Sequence, residues 1–318
     1  MAGALLTRPD QPVSQADFDA LYGELRHANP WGDQDRRGAL NHLTPARVLA
    51  AVQRVTAGRT VSMSATIGTH AAADDPEHAV HTMTGTGVEV FENDSQGLNF
   101  ATDHIEMNVH GNANSHLDAL CHVIYREQLY NGVPATAVTS TGADALDVDD
   151  DQNGIVGRGV LLDIPRLRGE RWLEPGDHVY ADDLIAAERE QHVTVGPGDL
   201  LFVRLGHRRR REELGPWDVA ASRAGLHPSA MPLLAERQIA LMGSDTNSDA
   251  APSSTAGVDF PIHVLAINAL GIQLLDYLDL DELAQACAHR DDWSFLSVIA
   301  PLRLPEATGS PVNPIAIL

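Results

Sequence analysis

Between Val13 and Arg26 the apolar residues Phe18, Leu21, Tyr22 and Leu25 recur at helical spacing behind Ser14, a good capping residue, and the segment reads as a helix. Thr44 caps a second helix running through Val55, with Pro45 at its first position. Arg59 to Ile67 alternates as a strand does. The polar piece from Ala71 to Asp94, in a region dotted with His70, His78 and His81, reads as a long loop plus a strand. Gly159 to Asp163, Asp199 to Arg204 and Ala240 to Gly243 are short apolar runs bounded by glycine, proline or charge, as expected of buried strands. Helical patterns cover Tyr180 to Glu190 (starting at Asp182 or Asp183), Pro232 to Arg237, Pro261 to Leu270 and Leu280 to His289. Strands alternating with helices predict an α/β or mixed α+β domain. No internal repeat or low-complexity tract interrupts this pattern.

One stretch breaks it. From Ile105 to His122 the polar residues His110, Asn112, Asn114, His116 and Asp118 share one parity, and Gly111, Ala113, Ser115 and Leu117 the other. An extended chain would place those five polar groups on a single face. Asp118 is also a natural helix N-cap, and a helix starting there puts His122 one turn on, close to the carboxylate. Imidazole plus carboxylate is the donor set of zinc, manganese or iron(II). A further histidine that is not a ligand can serve as general base. A wet strand face followed by a capped helix is the plainer account. Three histidines, two asparagines and an aspartate between His110 and His122, among neighbouring strands that read as buried, favour a site instead. His263 with Asp276, and with Gln273 nearby, forms a second and weaker group. Trp31, Tyr125 and Tyr130 are candidate substrate contacts. Cys121 reads as a small buried residue on the first turn after Asp118.

Composition narrows the chemistry. The chain carries 22 basic and 44 acidic residues for a net charge of −22, and every basic residue is arginine. Without lysine there is no Schiff-base catalysis and no P-loop. Arginine stays protonated, so proton transfer falls to histidine, carboxylate or metal-activated water. The acidity argues against nucleic acid as a partner. The basic run Arg208 to Arg211, followed by Glu212 and Glu213, reads as a solvated helix start or loop. Two cysteines, Cys121 and Cys287, make no disulfide framework. With no signal-peptide pattern in Met1 to Asp10 and no long apolar run, a cytoplasmic protein without membrane contact is expected. Gly85-Thr-Gly87 is an incomplete dinucleotide fingerprint, and no Gly-x-Ser-x-Gly elbow occurs.

His116-x-Asp118-x-x-x-His122 resembles the core of the metal-dependent cyclase/hydrolase family that includes bacterial kynurenine formamidase and isatin hydrolase, whose motif runs His-x-Gly-Thr-His-x-Asp-x-x-x-His. The segments Trp31-Gly-Asp33 to Pro45, Gly157 to Asp163, Gly198 to Arg204, Gly243-x-Asp245-Thr246 and Gly309 to Ala316 are similar to other parts of that family. The resemblance implies a swivelling β/β/α fold over residues 31–318, behind an N-terminal helical extension at 1–30. It implies a hydrolase of cyclic or aryl amides using a divalent metal, Mn²⁺ or Zn²⁺, and a homodimer or higher homo-oligomer. His116 and Asp118 would be ligands and His122 the acid/base, with His263 matching a later family histidine and Asp276 falling near a family glutamate. The chain departs from the motif where the first family histidine is replaced by Asn112, a poor zinc ligand. His110 shares the parity but would sit about 7 Å further along an extended strand.

Three readings follow. The first is a metal-dependent amidohydrolase or lactonase with a site rebuilt around His110 or weakened at Asn112. The second is a biosynthetic cyclase or dehydratase in which His116, Asp118 and His122 work without metal. The third is a small-molecule binding protein on a degenerate scaffold.

Overall fold

The computed structural model describes residues 12–27, 30–87, 98 and 100–318. Nine strands form its central sheet: β1 Thr60–Ser62, β2 His116–Asp118, β3 Ile155–Asp163, β4 Leu200–Arg204, β5 Leu241–Ser244, β6 Gln273–Asp276, β7 Ser294–Ile299, β8 Gly309–Pro311 and β9 Ile315–Ile317. Their spatial order is β1-β9-β7-β3-β4-β5-β6-β2-β8. The four middle strands, β3 to β6, are parallel, and the strands flanking them run antiparallel.

The apolar runs explain that centre. Leu161, Leu201, Val203, Leu241 and Leu275 are wholly buried, as a parallel sheet requires when helices cover both of its faces. Each such side chain contributes roughly 1.5–3 kcal/mol relative to exposure. The helices that link these strands are Ala181–Glu190, His207–Leu214, Met231–Arg237 and Pro261–His263, the last continuing as a π-helical turn over Val264–Leu270. Asp281–Arg290 leads from β6 to β7.

Both early helices form where the sequence predicts them. Gln15–His27 is capped by the Ser14 hydroxyl, which accepts from the Asp17 N–H (3.2 Å). Its face of Phe18, Leu21, Tyr22 and Leu25 belongs to the same apolar core as the sheet. The Tyr22 hydroxyl donates to Asn268 Oδ1 (2.8 Å), and Asn268 Nδ2 donates on to the carbonyls of Val123 and Gln128. The N-terminal helix and the π-turn are thereby tied to the chain that follows His122. Thr44 caps Pro45–Val52, which ends three residues before the expected Val55.

Several expectations are corrected. The strand expected over Arg59 to Ile67 shrinks to β1. The strand expected within Ala71 to Asp94 is Val80–Gly85, which pairs with Thr102–Glu106. The part of that call from residue 88 onward lies outside the described residues. The chain from His110 to Ser115 bends rather than running as a strand, so the single polar face does not exist. No helix follows Asp118. The Ala119 N–H donates to the Thr308 carbonyl (3.0 Å) and the Cys121 N–H to the Leu146 carbonyl (3.0 Å), so donors that a first helical turn would present go to distant partners. Only a turn remains, closed by His122 N–H to the Ala119 carbonyl (3.0 Å). Arg208 is not solvated. Its buried guanidinium donates to the carbonyls of Ala113, Tyr277 and Leu278, clamping the chain before β2 to the chain after β6.

Candidate active site

The pairing of β2 with β6 begins the site. His116 stands opposite Asp276 in register, so their side chains share a face, and Asp118 follows two residues on along the same face. The bend before β2 returns His110, whose Nδ1 lies 2.8 Å from Asp118 Oδ1. The turn after β2 brings His122 Nε2 to 3.9 Å from the same oxygen. Pro261–His263 presents His263 Nε2 3.4 Å from Asp118 Oδ2 and 3.4 Å from Asp276 Oδ2. The rings of His110 and His122 stack at 3.7 Å and 10°. Four imidazoles and two carboxylates therefore converge at the carboxyl end of a central parallel strand, where open α/β sheets place their ligands.

Hydrogen bonds set the orientation of the His116 and His110 rings. His116 Nδ1 donates to the Asn114 carbonyl (2.8 Å), an acceptor only, which leaves Nε2 facing Asp118 Oδ1 at 3.5 Å. His110 Nδ1 donates to Asp118, and its Nε2 accepts from the Thr308 hydroxyl (2.9 Å). Gly309 makes that approach possible, because a Cβ there would lie 2.7 Å from His110 Cε1.

Charge is unevenly distributed among these groups. Burial alone would raise the pKa of Asp118, but His122, His110, His263 and His116 hold it well below the ordinary carboxylate value. Burial brings His122 down to about 4, helped by the neighbouring imidazoles and opposed by Asp118, so it is neutral at pH 7. Burial also works against a charged His263, yet the carboxylates of Asp118, Asp249 and Asp276 around its ring outweigh that and raise its pKa well above the usual range.

Asp118 Oδ2 bears on whether a metal fits. It is buried and makes no well-formed hydrogen bond, although His263 Nε2 is near. Two overlapping triplets, His110–His116–Asp118 and Asp118–His122–His263, each bring their donor atoms within 4.8 Å of one another. An orphaned carboxylate oxygen among imidazole nitrogens is a donor set suited to a divalent cation, and the residues fit one.

These groups open onto a cavity of about 550 Å³, walled on its apolar side by Tyr125, Val258, Phe260 and Val264. Asn112 lines it too, with Oδ1 accepting from the Tyr277 hydroxyl (3.2 Å). Trp31 and Tyr130 do not reach it. The Trp31 ring packs edge-on against His42 in a shallow cleft elsewhere. Tyr130 is buried, with its hydroxyl donating to Asp35 (2.8 Å). Gln273 is also absent, since its side chain donates to Asp151. Asn114 turns away, its Oδ1 accepting from Gly68 N–H. Asp245, at the end of β5, accepts the N–H groups of Leu205, Gly206 and His207 (2.7, 2.7 and 2.9 Å) and belongs to the framework.

Sequence reasoning missed Asp249. Wholly buried, it accepts from His263 Nδ1 (2.6 Å), His263 N–H (3.1 Å) and Ile262 N–H (2.6 Å). It caps the helix start and aims His263 Nε2 at Asp118 and Asp276. Ser248 beside it donates to Asp276 Oδ1 (3.2 Å). The signal was present: Ser244 to Asp249 is a polar run directly after a buried strand, the usual position of site residues in a parallel sheet.

The model of the family described as "Putative cyclase" matches residues 10–250, and the chain belongs to this cyclase family. A crystal structure described as that of a novel cyclase is 31% identical, covers 93% of this chain and 99% of its own, and superposes with a TM-score of 0.83. Isatin hydrolase A from Labrenzia aggregata, bound to benzyl benzoate, is 21% identical, covers 81% of this chain and 93% of its own, and has a TM-score of 0.58. Isatin hydrolase A from Ralstonia solanacearum is 20% identical, covers 86% and 97%, and has a TM-score of 0.57. The two hydrolases share the fold with this chain. A comparison with curated proteins found no match. Among the described residues no helix is long and apolar enough to cross a membrane.

Proposed function

We propose that the chain is a hydrolase of a small cyclic or aryl amide, or of a lactone, working with a divalent metal. The observation that carries this reading is the buried Asp118 Oδ2, without a well-formed hydrogen bond, beneath four imidazoles that open onto one cavity. His110, His116 and Asp118 would hold the ion, with Asp276 beside them; His110 would give up its Nδ1 hydrogen bond to Asp118 to do so, taking the part that Asn112 leaves vacant in the family motif. When bound, such an ion supplies Lewis acidity that polarises a carbonyl and acidifies water. The protein's own groups do the rest. His116 is fixed by the Asn114 carbonyl with Nε2 facing inward. His122, neutral at pH 7 and partly open to the cavity, accepts a proton and passes it to the leaving group. His263, steered by Asp249, bridges Asp118 and Asp276. Tyr125 and Phe260 supply flat apolar walls suited to a planar ring.

Protein purified without chelator or metal-affinity resin should contain about one divalent metal per chain. Chelation should abolish opening of a panel of small cyclic amides that includes isatin, and Mn²⁺ or Zn²⁺ should restore it. Undiminished turnover by metal-free protein would refute the reading.

A metal-free cyclase or dehydratase is the second reading. It is favoured by Asn112, whose carbonyl oxygen the Tyr277 hydroxyl already engages. It expects a product that takes up no labelled oxygen from water.

A further inference from the structure

Asn247 lies just beyond β5 and lines the main cavity, and the two ends of its amide are unequally used. Oδ1 accepts from Arg223 Nε (2.7 Å) and from the Asp249 N–H (3.2 Å). Both partners can only donate, so the amide cannot be turned over and Nδ2 is the end left free. Among the described residues no acceptor takes Nδ2, and unlike Asp118 Oδ2 it is not sealed off by the protein.

That donor does nothing for the fold. Arg223 is buried, and among the described residues its guanidinium hydrogen-bonds only to neutral acceptors, Asn247 Oδ1 and the carbonyls of Val219, Ala220 and Asp249. A carboxylate would match a buried guanidinium better, because hydrogen bonds between charged groups are the stronger ones. Aspartate at 247 would serve Arg223 and the Asp249 N–H alike, so what asparagine adds is the N–H₂. The same guanidinium lies 5.4 Å from the Phe260 ring centre, so one buried cation holds both this donor and a flat wall of the cavity.

Among the described residues no arginine lines the cavity, and the exposed Asp259 stands at its rim, so a neutral oxygen suits the donor better than a carboxylate. Asp249 holds His263 from its Nδ1 side, and Asp118 lies on the Nε2 side. Asn247, tied to Asp249, therefore meets a different part of a ligand from the part lying against Asp118.

We propose that Asn247 Nδ2 is a specificity determinant that donates to a neutral carbonyl oxygen on the ligand's ring, a second one besides the oxygen lying against Asp118. A ligand with two ring carbonyls is then favoured over its single-carbonyl analogue. Calling such a ligand a substrate rests on the proposed hydrolytic function, whereas the donor rests on the contacts of Asn247 and Arg223 alone.

A ¹⁵N NMR titration of full-length protein, freed of metal by chelation so that bound ligand is not turned over, compares phthalimide with isoindolin-1-one, which lacks one of its carbonyls. The wild type should bind phthalimide about fivefold more tightly, the scale of one neutral hydrogen bond. The side-chain N–H₂ signals of Asn247, identified by their loss in Asn247→Asp, should shift with phthalimide. Asn247→Asp keeps both contacts of Oδ1 and pairs with Arg223, so it should fold, and it should remove the preference by setting an acceptor against an acceptor. Asn247→Ala leaves Arg223 its carbonyls, should remove the preference too, and carries the test should the first variant misfold. Wild-type affinities that agree within about twofold, no binding of either ligand, Asn247 signals unmoved by phthalimide, or a preference kept in either variant would overturn the assignment. Binding is read without turnover, so this result stands or falls apart from the hydrolysis assay.

Discussion

Asp249 offers the sharpest test of how the framework holds the site. Its carboxylate accepts the Ile262 N–H, the His263 N–H and His263 Nδ1, and no water can reach it. Hydrogen bonds to a charged acceptor contribute about 1.5–3 kcal/mol each, and a buried donor left unmatched costs about 1–3 kcal/mol. Asp249→Asn keeps an acceptor for His263 Nδ1 and the His263 N–H but turns an amide N–H₂ toward the Ile262 N–H. We expect a loss of about 3 kcal/mol for Asn and about 5 kcal/mol for Ala, less than a simple sum because neighbours in one network couple. In a chain of this length 3 kcal/mol lowers the thermal midpoint by roughly 4–5 °C. Guanidinium unfolding at pH 7 gives the free energy, and ¹⁵N NMR of the His263 ring reports whether Nδ1 still carries its proton. The same variants should bind Mn²⁺ at least about tenfold more weakly, because a misaimed His263 no longer balances Asp118 and Asp276. If Asp249→Ala unfolds within 0.5 kcal/mol of the wild type, the magnitude of an ordinary surface change, the positioning argument fails.

Two further outcomes follow from other contacts. Burial pushes Asp151 up to about 6 despite its hydrogen bond from Gln273, so the folded state keeps a proton that the unfolded chain has released above about pH 4. This contribution to stability is present at low pH and lost as pH rises from about 4 to about 6. Asp151→Asn removes it, so the variant should gain about 3 kcal/mol on the wild type between pH 4 and pH 7, and a flat difference across that window in denaturant titrations would refute the assignment. Gly309→Ala would set a Cβ 2.5 Å from the Leu117 carbonyl and 2.7 Å from His110 Cε1. It should cost about 1–3 kcal/mol and displace His110 from Asp118, weakening Mn²⁺ binding by calorimetry; unchanged binding would show that His110 is not needed.

Much of this was legible along the chain. Ile155–Asp163, Leu200–Arg204 and Leu241–Ser244 overlap the predicted apolar runs because a strand buried on both faces needs no partner to declare itself. Thr44-Pro45 and Ser14 mark helix starts by purely local capping. The clustering of His110, His116, Asp118 and His122 was visible too, but the geometry offered for it was wrong. A straight polar face and a capped helix were expected, and the chain makes a bend and a turn.

Tertiary partners decided that difference. Thr308 and Leu146 take the N–H groups of Ala119 and Cys121, Arg208 pins the bend at Ala113, and Gly309 leaves room for His110 beside Asp118. Asp249, more than a hundred residues from Asp118, reaches the site only because β6 pairs with β2. Tyr130 and Trp31 fall outside the cavity for the same kind of reason, since aromatic identity does not say which surface a side chain meets. By itself the sequence determined the elements and the chemical inventory, because periodicity and residue type act over one or two turns. Which groups face one another depended on strand register and on distant hydrogen-bond partners, and those exist only once the sheet is assembled.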